Sequence, residues 1–249
     1  MKIIISPAKK MKIDNDTPFL SSTPIFLNEA KTLLNYFKTL SYEEMKSIWQ
    51  CNDKIAKLNY DRFLNMDLGK NTSPALFSYK GIQYDYMNPN AFTEDELLYL
   101  NSNLRILSAF YGILKPFDNI VPYRLEMQSK IGINPSSSLY DFWGEKIAKS
   151  LFNETDCVIN LASKEYSKTI SKYLTNDVKF ITCIFGEEKD GKVIEKGTLA
   201  KMARGEMVRF FAEKNIKNLA DIRYFNRQNY IFSEKYSNET TFTYIKKDL

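Results

Sequence analysis

The residues of this chain that could do chemistry are mostly basic or hydroxyl-bearing, and several of them follow predicted strands. Ser6 and Lys9 lie in the segment SPAKKM, directly after an apolar run at residues 2–6 that predicts a buried strand. Ligands of open α/β folds collect beyond the carboxyl ends of strands, so Ser6 and Lys9 could face an anion there. A plain surface loop with solvated lysines is the alternative.

Arg124 lies in a second segment, residues 107–127, which reads LSAFYGILKPFDNIVPYRLEM. The chain has 28 lysines against 7 arginines, so each arginine is a better candidate for planar, bidentate recognition of phosphate or carboxylate. The alternative for Arg124 is a buried structural pair with Glu126.

The same segment also has the outline of a helix-hairpin-helix. A predicted helix at residues 92–108 leads into Tyr111 and Gly112, and in such a module the backbone N–H groups of the hairpin hold a DNA phosphate without reading sequence. Lys115 would add positive charge. The usual second glycine is replaced by Leu114, and a glycine helix cap explains Gly112 equally well.

A third segment, LASKEYSK, again follows a predicted strand where a helix begins. The backbone N–H groups and the helix dipole make Ser163 and Lys164 a natural anion cradle. Ordinary helix capping by Ser163 is compatible with that use.

The fourth segment, AKMARGEMVRFF, predicts a helix with a basic face. Lys201, Arg204 and Gly205 cluster opposite the apolar face, and Arg209 lies at its margin. A glycine inside a helix costs about 1 kcal/mol relative to alanine, so Gly205 indicates close approach by a backbone or a ligand. A solvated basic face with an incidental glycine is the alternative. The predicted apolar face consists of Leu199, Met202, Ala203, Met207, Phe210 and Phe211.

The absence of histidine excludes whole classes of site. A Ser-His-Asp triad, a Cys-His pair, a histidine base and a histidine-ligated metal are all impossible. Acid–base chemistry must use Asp, Glu, Lys, Tyr or Cys. Without histidine or a cysteine cluster, no spacing suggests an iron site, and no cofactor is expected.

Composition predicts a soluble, cytoplasmic protein that does not enter a membrane. No apolar stretch approaches the roughly 18 residues that span a bilayer, and the amino terminus is too short for a signal peptide. Cys51, Cys157 and Cys183 are widely spaced, so reduced thiols are expected, and all three are interpreted as buried and structural. The net charge of +5 permits an anionic partner without demanding one.

Periodicity predicts the elements that position these segments. Because strands alternate with helices but hairpins rule out a purely parallel sheet, the fold class is mixed α/β or α+β, with a central sheet and peripheral helices in one domain over residues 1–249. Helices are predicted at 28–40, from the Ser41 and Glu44 capping box to about 49, and at 54–63, 92–108, 139–152, 163–174 and 198–216; strands at 2–6 and 157–162; an extended segment at 75–87; and hairpins at 180–195 and 230–246.

Taken in order, ISPAKKM, LSAFYGILKPFDNIVPYRLEM, LYDFW, INLASKEYSK and AKMARGEMVRFF resemble the motif series of the YaaA family of peroxide-stress-resistance proteins. The resemblance runs over nearly the whole chain. It implies an α/β domain with a deep, positively charged cleft, a helix-hairpin-helix element, DNA binding, and a role in keeping unincorporated iron low. The position after Gly81 departs from the family pattern, because Ile82 stands where the family tends to have an acidic residue.

Carried over by position, the resemblance implies that five basic residues line or border the cleft and that Tyr111 and Gly112 form the hairpin. The five are Lys9, Arg124, Lys164, Lys201 and Arg204. The leading hypothesis is a monomeric protein that binds DNA without sequence preference. The alternative is an enzyme acting on an anionic small molecule or nucleotide, with Lys9 or Lys201 as base or nucleophile.

Overall fold

The computed structural model describes residues 1–14 and 21–247, and strands and helices alternate through these ranges. The strands are β1 (Lys2–Ile5), β2 (Lys10–Met11), β3 (Ser73–Pro74), β4 (Tyr79–Lys80), β5 (Leu104–Ser108), β6 (Gly112–Leu114), β7 (Asn119–Ile120), β8 (Cys157–Asn160), β9 (Lys179–Lys189), β10 (Lys192–Ile194), β11 (Tyr230–Phe232) and β12 (Thr241–Lys246). The helices are α1 (Leu27–Lys38), α2 (Tyr42–Trp49), α3 (Asp53–Leu64), α4 (Ala75–Ser78), α5 (Ile82–Met87), α6 (Glu94–Asn103), α7 (Leu139–Trp143), α8 (Lys146–Phe152), α9 (Lys164–Ser171), α10 (Gly197–Glu213) and α11 (Leu219–Ile222).

A mixed sheet forms the centre of the fold. Its strands lie in the order β11-β12-β9-β8-β1-β5-β6, and β10 pairs with β9. The pairs from β12 to β5 are parallel, whereas β11, β10 and β6 join antiparallel to their neighbours. The carboxyl ends of β1 and β8 therefore lie side by side, and this confirms the mixed α/β class with peripheral helices.

Burial explains why β1 is central. Ile3, Ile4 and Ile5 are fully buried, as expected for a parallel strand covered by helices on both faces. The buried apolar side chains form one continuous cluster that extends from β1 to β12. Among the described residues, no helix is both long and apolar enough to cross a membrane.

Side-chain caps begin four of the eleven described α-helices. The capping box of Ser41 and Glu44 begins α2, and Thr93 with Glu96 forms a second one at α6. The predictions of α1, α3, α9, α10, the β9–β10 hairpin and the β11–β12 hairpin are confirmed to within a few residues. In α10 the predicted face is buried at Ala203, Met207, Phe210 and Phe211, and is half-buried at Leu199 and Met202.

The predicted helix-hairpin-helix is wrong. Helix α6 ends at Asn103, and residues 104–108 form β5, every residue of which is buried beside β1. Gly112 begins β6 and pairs with Ser108, so the segment is a β-hairpin. Gly112 has φ of +74°, and a Cβ there would lie 2.7 Å from the Trp143 ring. Gly112 is thus required by a buried turn, and its backbone is enclosed by aromatic side chains.

Three other expectations need correction. Residues 75–87 fold as α4, β4 and α5 because this segment packs under α10 instead of joining the main sheet. The helix expected at 139–152 is divided into α7 and α8 at Gly144. Of the cysteines, Cys183 is buried, but Cys51 and Cys157 are only half-buried.

Candidate functional site

The carboxyl ends of β1 and β8 bring two serines into contact. Ser163 donates its backbone N–H to the Ser6 Oγ at 2.9 Å, and the two hydroxyl oxygens lie 3.2 Å apart. Asn160 shapes the turn between β8 and α9, because its side chain accepts the Ala162 N–H and donates to Thr182. Ser163 makes no side-chain cap hydrogen bond, so ordinary capping is not its role here. The first turn of α9 opens at this edge.

Beside the serines, Glu126 contacts two candidate cations. Lys9 Nζ lies 2.6 Å from Glu126 Oε2, and Arg124 Nη2 lies 3.4 Å from Oε1. The Arg124 side chain is only 12% exposed and that of Glu126 17%, whereas Lys9 is 64% exposed. The Nε of Arg124 is buried and has no hydrogen-bond partner among the described residues. Arg124 therefore makes the structural pair that the sequence left open, yet retains an unused donor.

A second carboxylate, Glu165, completes this group. Its Oε1 accepts the Gln128 N–H at 3.3 Å. Burial raises the pKa of Glu165, and the charge of Glu126 adds to that rise, while N–H donors and Lys9 oppose it. We name Ser6, Lys9, Arg124, Glu126, Ser163 and Glu165 the carboxyl-edge cluster. The sequence offers Glu126 only as a structural partner of Arg124 and gives Glu165 no role, although Glu165 directly follows the predicted site residue Lys164.

Helix α10 adds a second arginine in a similar state. Arg204 Nη2 lies 3.4 Å from Glu195 Oε1 and its side chain is 15% exposed. Its Nε is buried, with no hydrogen-bond partner in residues 1–14 and 21–247. Gly205 contacts α5 so closely that a Cβ would lie 2.2 Å from the Gln83 carbonyl oxygen. This confirms the predicted close approach by a backbone. The same α5 carries Tyr84, whose hydroxyl donates to the Ser6 carbonyl at 3.0 Å, so α5 links Arg204 to the carboxyl-edge cluster.

Lys164 and Lys201 are exposed, and they stand at the starts of α9 and α10. Four predicted residues lie elsewhere. Tyr111 and Gly112 are buried beneath Trp143 and Val121, where they have no access to a ligand. Lys115 follows β6 at the opposite, amino end of the sheet, because Leu114 pairs with Ile106 and β6 runs antiparallel to β5. Arg209 pairs with Glu213 at 2.6 Å, in a network that includes Arg227.

Buried tyrosines form the floor of the cluster. The hydroxyls of Tyr79 and Tyr123 lie 2.9 Å apart, and Tyr123 also contacts Ser108 at 2.6 Å. Burial raises the pKa of Tyr123 to about 12 and raises those of Tyr84 and Tyr166 well above the usual value. These phenols are therefore neutral at physiological pH and serve as packed hydrogen-bonding groups.

Two cavities adjoin the cluster. One of about 300 Å³ is lined by Tyr79 and Tyr84 and has Lys12 and Lys80 on its wall. Another of about 450 Å³ is lined by Gln128 and Tyr140, both of which contact Glu165. Within residues 1–14 and 21–247, no three cysteine or carboxylate side chains come together in a way that could hold a metal ion.

Comparison with known proteins places this arrangement in a family. Residues 1–236 match the family model described as peroxide stress protein YaaA. A UPF0246 protein of Desulfitobacterium hafniense is 52% identical over 246 residues, which are 99% of this chain and 98% of the relative. Proteins of the same name from Lachnoclostridium phytofermentans and Ligilactobacillus salivarius are each 50% identical, with coverage of 99% of this chain and 96% and 100% of the relatives.

Proposed function

This chain belongs to the YaaA (UPF0246) family of peroxide stress proteins, and from that membership we propose that it acts in the response to peroxide by binding DNA through phosphate contacts. Its proposed compartment is the cytoplasm. The proposed cellular outcome, carried over from the resemblance, is a low level of unincorporated iron. Binding would be independent of sequence, because contacts to phosphates carry no base information.

One observation supports phosphate as the ligand. Arg124 and Arg204, two of the three arginines that the sequence singles out, each keep a buried Nε with no partner in the part of the chain that the structure describes. A buried donor that lacks an acceptor costs about 1–3 kcal/mol, so each arginine is suited to an oxyanion that would satisfy it. Lys9, Lys164 and Lys201 are exposed and would add the outer charges of a basic cleft.

The charge balance predicts weak affinity. The net charge is only +5, and Glu126 and Glu165 lie among the basic residues. A few phosphate contacts would therefore supply the binding free energy, and most of it would be electrostatic.

Salt dependence tests this function. Labelled duplexes of several sequences would be titrated with the full chain from low to moderate salt. We expect log K to fall with log salt by about 0.9 for each phosphate contact, equally for all sequences. Binding that does not change with salt, or no binding at low salt, would contradict DNA as the partner.

A second candidate function, an enzyme acting on an anionic small molecule or nucleotide, is favoured by the burial of the same two arginines. Their side chains are 12% and 15% exposed, which suits an enclosed ligand better than a solvated DNA backbone. Glu165, whose pKa is raised by burial, and Lys9 would be available for proton transfer in such a site.

A further inference from the structure

The pairing of Arg124 is incomplete in a specific way. A guanidinium binds a carboxylate or phosphate most strongly when Nε and Nη2, which lie on the same side, each donate one hydrogen bond. Here Nη2 faces Glu126 at the long distance of 3.4 Å, and Nε donates to no described residue. Glu126 therefore contacts only one of these two guanidinium donors, Nη2.

The same carboxylate also neutralises the second cation. Glu126 Oε2 lies 2.6 Å from Lys9 Nζ, so one carboxyl group stands between an exposed lysine and a buried arginine. An anion at this position would contact both Lys9 and Arg124. It would accept hydrogen bonds from both Nε and Nη2 of Arg124. Glu126 thus occupies the place that an oxyanion ligand would take.

The burial of this position determines which kind of phosphate group can reach it. Arg124 and Glu126 are more than four-fifths buried, and Lys9 alone is well exposed at the mouth. A phosphodiester within a duplex is flanked by sugars on two sides and has only two free oxygens. A phosphomonoester has three free oxygens and one ester bond, so it can enter end-on and reach the buried arginine.

We propose that Arg124 and Lys9 form a binding site for a phosphomonoester, the terminal phosphate of a nucleotide or of a DNA end, and that the Glu126 carboxylate occupies this site until the phosphate displaces it. The inference rests on the proposed function in that it names the ligand of the same cluster. It differs in requiring a terminal phosphate, which duplex binding as such does not require.

The test compares ends. Fluorescent duplexes of identical sequence, with phosphate or hydroxyl at their 5′ and 3′ ends, are titrated with the full chain at fixed low salt. Adenosine monophosphate and inorganic phosphate are titrated separately as probes. We expect the phosphate-ended duplex to bind about tenfold more tightly than its hydroxyl-ended counterpart, the effect of one charge-assisted, bidentate contact.

Variants assign the effect to the cluster. Glu126→Gln keeps the shape of the side chain but removes the competing charge, so phosphate-ended binding should tighten about fivefold to tenfold. Glu126→Asp should not tighten it. Arg124→Lys should remove the preference for a terminal phosphate, and Lys9→Gln should weaken it without a risk to folding, because Lys9 is exposed. Asp53→Asn breaks an ion pair of the same 2.6 Å length between α2 and α3 and should change nothing.

The outcomes separate the two proposals. Equal binding of both duplexes, with Glu126→Gln indistinguishable from Asp53→Asn, would overturn the monoester site while DNA binding stands. If no duplex binds but adenosine monophosphate does, and Glu126→Gln tightens it, the monoester site is supported and DNA binding fails. If only the duplex end binds, the ligand is a DNA end and free nucleotide is excluded. If nothing binds, both proposals fail.

Discussion

The two ends of the central sheet each hold a buried arginine beside a glutamate, but the two arginines are in opposite states. At the amino end, Arg105 donates from Nε to Glu154 at 3.2 Å, from Nη2 to the same carboxylate, and from Nη1 to the Leu104 and Asn101 carbonyls. At the carboxyl end, Arg124 has one long contact and an unused Nε. Every guanidinium nitrogen of Arg105 donates at least one hydrogen bond within the protein, whereas the Nε of Arg124 has no acceptor among the described residues.

The hydrogen bonds of Arg105 and Arg124, rather than their exposure, distinguish a structural arginine from one that is available to a ligand. Arg105 and Arg124 are both largely buried, at 4% and 12% exposed, so burial alone would assign them the same role. Their hydrogen bonds differ because Arg105 lies next to the end of α6, where Asn101 and Leu104 supply carbonyls, and faces Glu154, whereas Arg124 follows β7 in a loop. We therefore expect changes at the amino end to affect stability and changes at the carboxyl end to affect binding.

The largest expected effect is on stability at the amino end. Arg105→Gln leaves Glu154 without its bidentate partner and should reduce the free energy of unfolding by about 3 kcal/mol, measured by chemical denaturation. Lys46→Gln, which breaks an exposed ion pair with Asp53, is the control and should leave stability nearly unchanged. An Arg105→Gln protein as stable as this control would show that the pairing of Arg105 with Glu154 does not stabilise the fold.

The contact that holds α10 against α5 should also be sensitive. Gly205→Ala places a Cβ 2.2 Å from the Gln83 carbonyl oxygen, so the helices must separate, at a cost of about 2 kcal/mol. Gly197→Ala is a matched change in the same helix, where a Cβ meets nothing within 4 Å. Equal stability of the two variants would mean that the close contact of Gly205 with α5 does not hold α10, and with it Arg204, in place.

Smaller effects on stability are expected for Arg124→Lys and Arg204→Lys. Each keeps the charge but loses the fork, and the free energy of unfolding should change by less than about 1 kcal/mol because the present contacts are long. Affinity for internal phosphates of duplex DNA should fall only modestly.

Protection of peroxide-challenged cells separates the two candidate functions for the same variants. If both variants fold and bind DNA almost normally yet give no protection, the enzyme replaces DNA binding as the function. If protection falls only in proportion to DNA affinity, DNA binding is supported and the small-molecule clamp is excluded.

The smallest expected effect concerns pH. Hydrogen bonds and charges of Arg105 and Lys2 outweigh the burial of Glu154 and lower its pKa, so its contribution to stability is present above the unfolded pKa and is lost as the pH falls. Burial raises the pKa of Glu165, so its charge destabilises the fold above the folded pKa, and protonation relieves this as the pH falls. Glu165→Gln should therefore be stabilising at pH 7 and neutral near pH 4, and Glu154→Gln should be destabilising at pH 7. Equal pH profiles of stability for the two variants would contradict the opposite pKa shifts of Glu154 and Glu165.

The sequence was sufficient where the signal is local. β1 follows from three consecutive isoleucines, and the capping box of α2 follows from Ser41 and Glu44, which are three residues apart. Arg124 and Arg204 could be chosen because lysine so strongly outnumbers arginine. The presence of β5 could not be predicted, because residues 104–108 continue the apolar pattern of α6 and become a strand only by pairing with β1.

Parts of the site that depend on strand order were also out of reach. The sequence predicts Lys115 in a hairpin beside DNA, but the antiparallel course of β6 carries it to the amino end. The sequence also predicts Arg209 at the margin of a basic face, but Arg209 pairs with Glu213 on the same helix, and the fold brings Arg227 to that glutamate. Glu165 enters the cluster because the parallel pairing of β1 with β8 brings the start of α9 beside Ser6.

Hydrogen–deuterium exchange with and without a short phosphate-ended duplex tests most directly whether the carboxyl end of the sheet is the ligand-binding region. If the ligand binds there, we expect slower exchange at residues 6–12, 124–128 and 163–167, and at the start of α10. We expect no change at residues 102–105 and 154. Protection at the amino end around Arg105 and Lys115, with none around Arg124, would contradict it.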